Sequence, residues 1–418
     1  MRGGDSIGLR AYNERLVIAT IRQDGALSKA ELARTTGLSG QAATVIVNSL
    51  LDEGLLIKCE KVRGQVGKPF TPIALNPEGA YSIGVKIGRR SLEALLVDFD
   101  GNVVVSRSTP YPAPLPDQTM ALATGTTVEL INSLTRGLRD RIVGIGVAMP
   151  WVLHEWSDVL GLERGVIAAW REIDVAADIE TATGLPVSVY NDATAACAAE
   201  MIAGDRIARS SALYIFLGTF VGGGVVIDGR LYRGEQLNAG ALGSMPMDEI
   251  GDDGRPLQLI HQASVISLER ELAAAGINVT SVFEPHATPG ADAIFDAWLQ
   301  RTVDALARAV VSAMSVVDFE EVVVDGLLHP AWRCRVVDRL ADAYHQIDCT
   351  GLSPIEIAMG SIGPQARVLG AALLPLIGRF SPDTDLLVKT ARVPKLVDHK
   401  PAVGRGLSAT SPAADEQT

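Results

Sequence analysis

The sequence predicts an α/β protein with a winged helix-turn-helix at its amino terminus. Three features carry that reading. Residues 13–53 hold three short helical periods, separated by Asp24-Gly25 and Thr36-Gly37-Leu38, with Ser28 and Ser39 as caps. Beyond residue 80, apolar runs beginning at Tyr81, Leu92, Ile142 and Glu321 alternate with amphipathic helical stretches, the pattern of strands covered by helices. Residues 212–224, ALYIFLGTFVGGG, run from a strand into a cluster of glycines.

In the head, Asn13–Gln23 places Leu16, Ile18, Ala19 and Ile21 in a short amphipathic helix that ends at Asp24-Gly25. Ser28 caps a second helix, Lys29–Thr35, and Glu31 completes a capping box. Ser39 caps a third, which runs to Glu53 and is closed by Gly54. Ala30, Leu32, Ala33, Leu38, Val45, Val47, Leu50 and Leu51 are the expected core of this unit. Gln41 and Thr44 beside the Ser39 cap, with Asn48 one turn later, are expected to be exposed, where their side chains can read base edges in a major groove. Strands Leu55–Lys58 and Thr71–Leu75 flank a loop with Lys61, Arg63, Gln65 and Lys68. That is a wing, and its cations suit phosphates or a minor groove. Double-stranded DNA is the expected partner; a docking module that binds no DNA is the alternative.

The 418 residues are enough for two or three domains with buried cores. No apolar run reaches the ~18 residues of a membrane helix, and the start, MRGGDSIGLRAYNER, has no apolar signal core. A cytoplasmic protein without a membrane partner is expected. Cys59, Cys197, Cys334 and Cys349 have neither the spacing of a zinc site nor the density of a disulfide framework, and read as reduced packing residues. The formal net charge of −12 hides an asymmetry: residues 1–80 hold 10 Lys+Arg and 8 Asp+Glu, a net of +2, which leaves 27 − 41 = −14 for residues 81–418. A mildly basic head on an acidic body directs DNA to the head.

Within the body, Gln118–Leu138 reads as a helix and Ile142–Ala148 as a strand ending at Met149-Pro150. Strand Val187–Val189 leads through Tyr190-Asn191-Asp192 into a helix, Ala193–Ala203. A carboxylate at such a helix start stays ionised and suits a general base; a plain N-cap is the alternative. Gly218, Gly222, Gly223 and Gly224, with Thr219, read as a loop whose backbone can approach a phosphate; a hairpin without a ligand is the alternative. His261 has no neighbours in sequence to complete a metal site. A long amphipathic helix, Asp292–Met314, precedes the buried strand Glu321–Val324; helix Trp332–Tyr344, strand Ile355–Ala358 and helix Gln365–Leu376 follow. Beyond Lys389 the chain is rich in Pro, Ala, Gly, Ser and charge, and is expected to be disordered.

The glycine stretch and three further segments in the same order, Gly144-Ile-Gly-Val-Ala-Met-Pro150, Leu185-Pro-Val-Ser-Val-Tyr-Asn-Asp192 and Gly229-Arg-Leu-Tyr-Arg-Gly234, resemble the ROK family (repressors, open reading frames and kinases). The head, LSKAELARTTGLSGQAATVIVNSLLDEGLL followed by GQVGKPFTPIALNP, is similar to that of ROK transcriptional regulators. The resemblance runs to about Leu376 and implies a two-lobed actin-like, hexokinase-like ATPase fold behind the winged head. It implies a head over 1–79, a small lobe over 80–192, a large lobe over 193–364, a helical return over 365–388 and a tail over 389–418. It also implies a vestigial base at Asp192 ordered by Asn191, ligand contacts at Asn191, Asp192, Gly240 and Ser244, and a phosphate-loop remnant at Gly218, Thr219, Gly222, Gly223 and Gly224.

The chain departs from the kinase pattern in three places. ROK kinases follow the first body strand with an acid, paired glycines, Thr and Lys; here Lys86 stands for the acid and Gly88 is followed by Arg89, Arg90 and Ser91. A cation there removes a metal-bridging group, and bulk at Arg89 blocks close backbone approach; phosphate held by Arg89 and Arg90 as point charges is the alternative. Ala241 replaces the glutamate that binds sugar hydroxyls, and Ser244 the histidine that binds sugar and zinc. The zinc-binding cysteine cluster is replaced by DEIGDDGRPLQLIHQASVISLEREL. No cofactor and no metal are therefore expected. The resemblance implies a transcriptional regulator, a repressor of carbohydrate-related genes, whose body is a retired kinase that forms a homodimer or homotetramer and senses a sugar or sugar phosphate. An active sugar kinase with a DNA-binding head, and an interaction platform without a small ligand, are the alternatives.

Overall fold

The computed structural model describes residues 6–61, 70–151, 153–155, 162–205, 211–278 and 290–382. Residues 13–382 form one compact unit; of the other, residues 1–12 with 383–418, only Ser6–Tyr12 is described. The expected tail from residue 389 lies outside the described residues.

Helix α1 (Ser6–Asp24) begins earlier than its apolar pattern does, and is followed by α2 (Lys29–Thr36) and α3 (Gly40–Asp52). The capping box forms in full: the Ser28 hydroxyl accepts from the Glu31 N–H at 3.2 Å and the Glu31 carboxylate accepts from the Ser28 N–H at 2.8 Å. Gly37, at φ 70°, ends α2 in the left-handed region, and Ser39 accepts from the Ala42 N–H at 3.2 Å to start α3. Helix α3 buries Ala43, Ile46, Val47 and Leu50, one stripe at helical spacing. Two expected core residues are corrected by the faces that α2 and α3 bury. Val45 is 58% exposed, because it lies two residues from both Ala43 and Val47 and so on the far side of α3. Ala30 is likewise exposed, two residues before the buried Leu32 of α2. Strands β1 (Leu56–Lys58) and β2 (Ile73–Leu75) pair antiparallel, with Leu56 opposite Leu75. Arg63, Gln65 and Lys68 of the expected wing lie outside the described residues.

The body is built on two five-stranded sheets. The first takes β3 (Tyr81–Ile87), β4 (Ser91–Val97), β5 (Val103–Pro110), then β6 (Ile142–Met149) and β7 (Val187–Asn191), in the order β5-β4-β3-β6-β7. Between β5 and β6 the expected single helix is two: α4 (Pro116–Ser133) stops where the buried Leu134 turns extended, and α5 (Arg136–Arg139) restarts after Thr135. Helices α6 (Arg164–Ala168) and α7 (Val175–Thr183) precede β7, and α8 (Asp192–Ala203) follows it. The second sheet starts with β8 (Ala212–Leu217), β9 (Val221–Ile227) and β10 (Arg230–Tyr232). A small ribbon, β11 (Pro246–Ile250) and β12 (Pro256–Gln258), and helices α9 (Leu259–Ala263), α10 (Val265–Ala274) and α11 (Ala291–Met314) then lead to β13 (Glu321–Gly326). Helix α12 (Pro330–His345), β14 (Glu356–Met359) and α13 (Ala366–Phe380) complete the chain's described order, and the sheet reads β10-β9-β8-β13-β14.

The glycine loop is shorter than its sequence suggests. Gly222, Gly223 and Gly224 sit inside β9, opposite Phe216, Ile215 and Tyr214, so the turn is Gly218-Thr219-Phe220. A Cβ on Gly222 would come 2.8 Å from that of Ala193, and one on Gly224 2.3 Å from that of Cys197. Gly222 and Gly224 let β9 lie against α8, and Gly223 faces Leu242 on the other side.

Helix α13 is central. A Cβ on Gly84 of β3 or Gly146 of β6 would stand 2.4 Å from the Val368 carbonyl or 2.0 Å from that of Ala371, so the helix rests on the backbone of the first sheet. Its Val368, Ala372 and Leu376 share one buried cluster with Val17, Ile18 and Ile21 of α1. Phe99 links them: its ring lies 4.6 Å from that of Phe380, and the Arg22 guanidinium of α1 lies 5.1 Å from its centroid. The core of the head therefore continues into the core of the body. Among the described residues no helix is long and apolar enough to cross a membrane.

Candidate functional site

Two surfaces hold the residues singled out above. On α3, Gln41, Val45 and Asn48 are exposed at i, i+4 and i+7 and form one face. Thr44 is half-buried beside them, and its hydroxyl donates to the Gly40 carbonyl at 2.7 Å. The Asn48 carbonyl oxygen accepts from Lys29 Nζ at 2.7 Å, which turns its amide into a donor for an incoming acceptor and holds a cation at the start of α2. Ser39 is committed to the cap. Lys61 ends the described part of the wing. Val45 belongs to this face as the apolar neighbour that can meet a thymine methyl; its offset from the buried stripe is the signal that the sequence reading passed over.

The second surface is a cavity of about 560 Å³, lined by Asn191, Asp192, Thr219, Gly222, Gly223, Gly240 and Ser244. Arg89, Trp151, Asn238, Gln258, His261 and Arg367 line it as well. The structure thus gathers the four expected ligand contacts and three members of the glycine cluster in one place. Of the other two, the Gly218 carbonyl accepts from the Val265 N–H at 3.1 Å, and Gly224 packs on Cys197. Asn191 ends β7 and caps α8, accepting from the N–H groups of Ala193 at 3.0 Å and Thr194 at 3.3 Å. The cap is therefore Asn191, and Asp192 is the first residue of the helix. One Asp192 oxygen accepts from the Ala193 N–H at 3.0 Å and the other from Arg367 Nη1 at 3.3 Å. Arg367 lies on the first turn of α13, with its guanidinium 5.0 Å from the Phe216 ring centroid. Nothing in its local sequence marks it as a partner of a residue 175 positions away.

Residues 82–376 match the model of the ROK family, and residues 10–57 match that of a winged helix-turn-helix DNA-binding domain. The chain belongs to the ROK family. A protein of Sinorhizobium fredii, the uncharacterized protein y4fQ, is 28% identical over 88% of this chain and 92% of its own length. The xylose repressor of Bacillus subtilis is 23% identical over 58% of this chain and 62% of the repressor. A crystal structure of a ROK family transcriptional regulator, a homologue of the E. coli MLC protein, shares the fold with a TM-score of 0.65 and 21% identity, over 92% of this chain and 100% of that one.

In this ROK body the positions of the first phosphate loop are held in ion pairs. Lys86 is buried and donates to Glu93 at 2.6 Å and to Ser91 at 3.2 Å. Arg89 and Arg90 both converge on the buried Glu269 of α10, Arg90 through contacts of 2.9 and 2.7 Å. A single carboxylate, Glu269, thus holds both Arg89 and Arg90, the alternative phosphate ligands. Asp325, at the end of β13, is buried and accepts from the Tyr214 hydroxyl at 3.1 Å, the Gly326 N–H at 2.8 Å and the Gly363 N–H at 2.9 Å, and pairs with Arg333. Ala241 and Ser244 are both exposed in the cavity wall.

Burial, and then the like charge of Arg367, push the Lys86 ammonium down to about 8, against the opposing pull of Glu93 and Asp192. An unfolded lysine keeps its proton to about 10.4. Between those values the folded state has released a proton that the unfolded state retains, so stability rises with pH across this window, by up to about 3 kcal/mol for this one group. In Lys86→Met that rising component is expected to vanish. Denaturation midpoints of both proteins at pH 7.5 to 10 check it, and parallel curves would refute it.

Proposed function

We propose that this chain is a sequence-specific DNA-binding regulator that represses carbohydrate-related genes, with a ROK body that associates with a second copy and senses a ligand instead of transferring phosphate. The observation that carries this reading is the head: a capped recognition helix that exposes Gln41, Val45 and Asn48 while its buried stripe joins the body core. Similarity to a xylose repressor supports the carbohydrate link. Lys86 paired with Glu93, and Ala241 and Ser244 in place of the sugar-binding glutamate and histidine, argue against phosphoryl transfer, which depends on positioning and metal electrostatics. Asp192, Asn191, Gly240 and Ser244 then serve as ligand contacts in the cavity, and no cofactor is required.

The regulatory step follows from α13. Its first turn carries Arg367 at the cavity, and its last carries Phe380 against Phe99 and so against α1. A ligand that closes the cavity around Asp192 displaces Arg367, and α13 transmits the shift to the head, altering the spacing of two paired heads on two half-sites. The test is fluorescence anisotropy of the full chain on the DNA upstream of its own gene, against scrambled DNA at one fixed salt concentration, since phosphate contacts alone can mimic affinity. Tight, sequence-dependent binding is expected. Equal binding to both sequences would overturn the reading, and sugar-dependent ATP consumption by the same sample would restore the kinase.

A further inference from the structure

We infer that the ligand of the cavity carries an anionic group, a carboxylate or a phosphate ester, that pairs with Arg367 while its hydroxyls meet Asn191 and Asp192. This rests on the reading of the cavity as a ligand site. Two arginines, Arg89 and Arg367, line the cavity; Arg89 shares the one buried carboxylate of Glu269 with Arg90, and Arg367 has Asp192. Glu269 serves two arginines, and its contacts are close; so is Lys86–Glu93 at 2.6 Å.

Arg367–Asp192 is the loose member. It rests on a single contact of 3.3 Å, longer than the ~2.7–2.9 Å of a well-formed charged pair. Arg367 is 8% exposed, and its Nε is buried without a hydrogen-bond partner, as is that of Arg89, the other arginine of the cavity wall. A guanidinium offers five donors, and a buried donor left unmet is costly. The guanidinium lies over the Phe216 ring, 5.0 Å from its centroid, and its fork can engage a planar carboxylate or a phosphate in bidentate fashion. Asn191 uses its carbonyl oxygen on the α8 cap, which leaves its amide as a further donor. A neutral sugar meets Asp192 but leaves the Arg367 guanidinium, with its single contact of 3.3 Å, short of acceptors; an anionic one supplies them.

The experiment uses the full chain and isothermal calorimetry at constant ionic strength. The probes are glucose, galactose, xylose and N-acetylglucosamine, the glucuronate, galacturonate and xylonate related to them, the 6-phosphates of the hexoses, and inorganic phosphate. At least one acid or phosphate is expected to bind about tenfold or more tightly than its neutral parent, the margin of a charge-assisted over a neutral hydrogen bond. The uronate and phosphate arms separate the two sources of charge. Arg367→Met is expected to abolish the preference and Arg367→Lys to keep part of it. A neutral parent that binds as tightly, inorganic phosphate that binds as well as any sugar, a preference that survives in Arg367→Met, or no binding by any probe each overturns the inference. The wild-type comparison decides even if the methionine variant fails to fold. Operator anisotropy on the same sample keeps the two questions apart: DNA recognition without an anionic preference sinks only the ligand class, and an Arg367-dependent preference without DNA recognition sinks only the regulator.

Discussion

Gln41→Ala in the full chain is expected to weaken operator binding by roughly ten- to a hundredfold, the ~1–3 kcal/mol that a bidentate side-chain contact to one base provides, and to leave binding to unrelated DNA unchanged. Gln41 is exposed on the first turn of α3, and among its described interactions none ties its amide to the protein. Its loss therefore removes a reader without disturbing the core formed by Ala43, Ile46, Val47 and Leu50. Asn48→Ala is expected to do the same at a second base and also to free Lys29, which the Asn48 carbonyl oxygen now holds at 2.7 Å. Lys61→Ala supplies the contrast. A phosphate contact carries no sequence information, so its loss weakens operator and unrelated DNA alike and lowers the salt slope by about one. Anisotropy titrations at several salt concentrations separate the two classes. If Gln41→Ala and Lys61→Ala gave the same pattern, α3 would not be the reading helix.

What could be read in advance was what neighbouring residues decide among themselves. Ser28 and Glu31 form their capping box across three residues, and Asn191 and Asp192 meet at a strand end and a helix start. These local rules fixed the head and the floor of the cavity. Arg367 and Asp192 are separated by 175 residues, and Arg89 and Glu269 by 180, so no spacing announces either pair. The three glycines of β9 show a different limit. A glycine run reads as a loop unless its neighbours are known; here Ala193 and Cys197 of α8 approach Gly222 and Gly224, and Leu242 approaches Gly223 from the other face. Val45 was misplaced because apolar character alone was counted; the buried stripe at 43, 46, 47 and 50 leaves 45 on the other side. Leu134 breaks its helix with neither glycine nor proline to mark the place.

The most damaging single substitution is expected at Gly370. A Cβ there would stand 1.6 Å from the carbonyl oxygen of Ala195 and 2.5 Å from its carbon. Those are backbone atoms of α8, so no rotamer change relieves the clash, and the two helices must move apart. They cannot do so alone, because α13 is also seated on Gly84 and Gly146 of the first sheet. Gly370→Val is therefore expected to exceed the ~1–3 kcal/mol usual for overpacking and to cost more than about 4 kcal/mol, because backbone is struck, and to yield little folded protein. Gly378 lies on the same helix with nothing within 4 Å of its would-be Cβ. Gly378→Ala is expected to be neutral or to stabilise by up to about 1 kcal/mol, since alanine is the better helix former. Urea denaturation of both variants checks the contrast, with Gly370→Ala as the milder member of the series. The result also bears on regulation. Contact at Gly370 ties α13 to α8 between Arg367 at the cavity and Phe380 at the head. A Gly370→Val protein as stable as the parent would mean that the helix is loosely held, and a loosely held helix could not carry a shift from the ligand to the DNA.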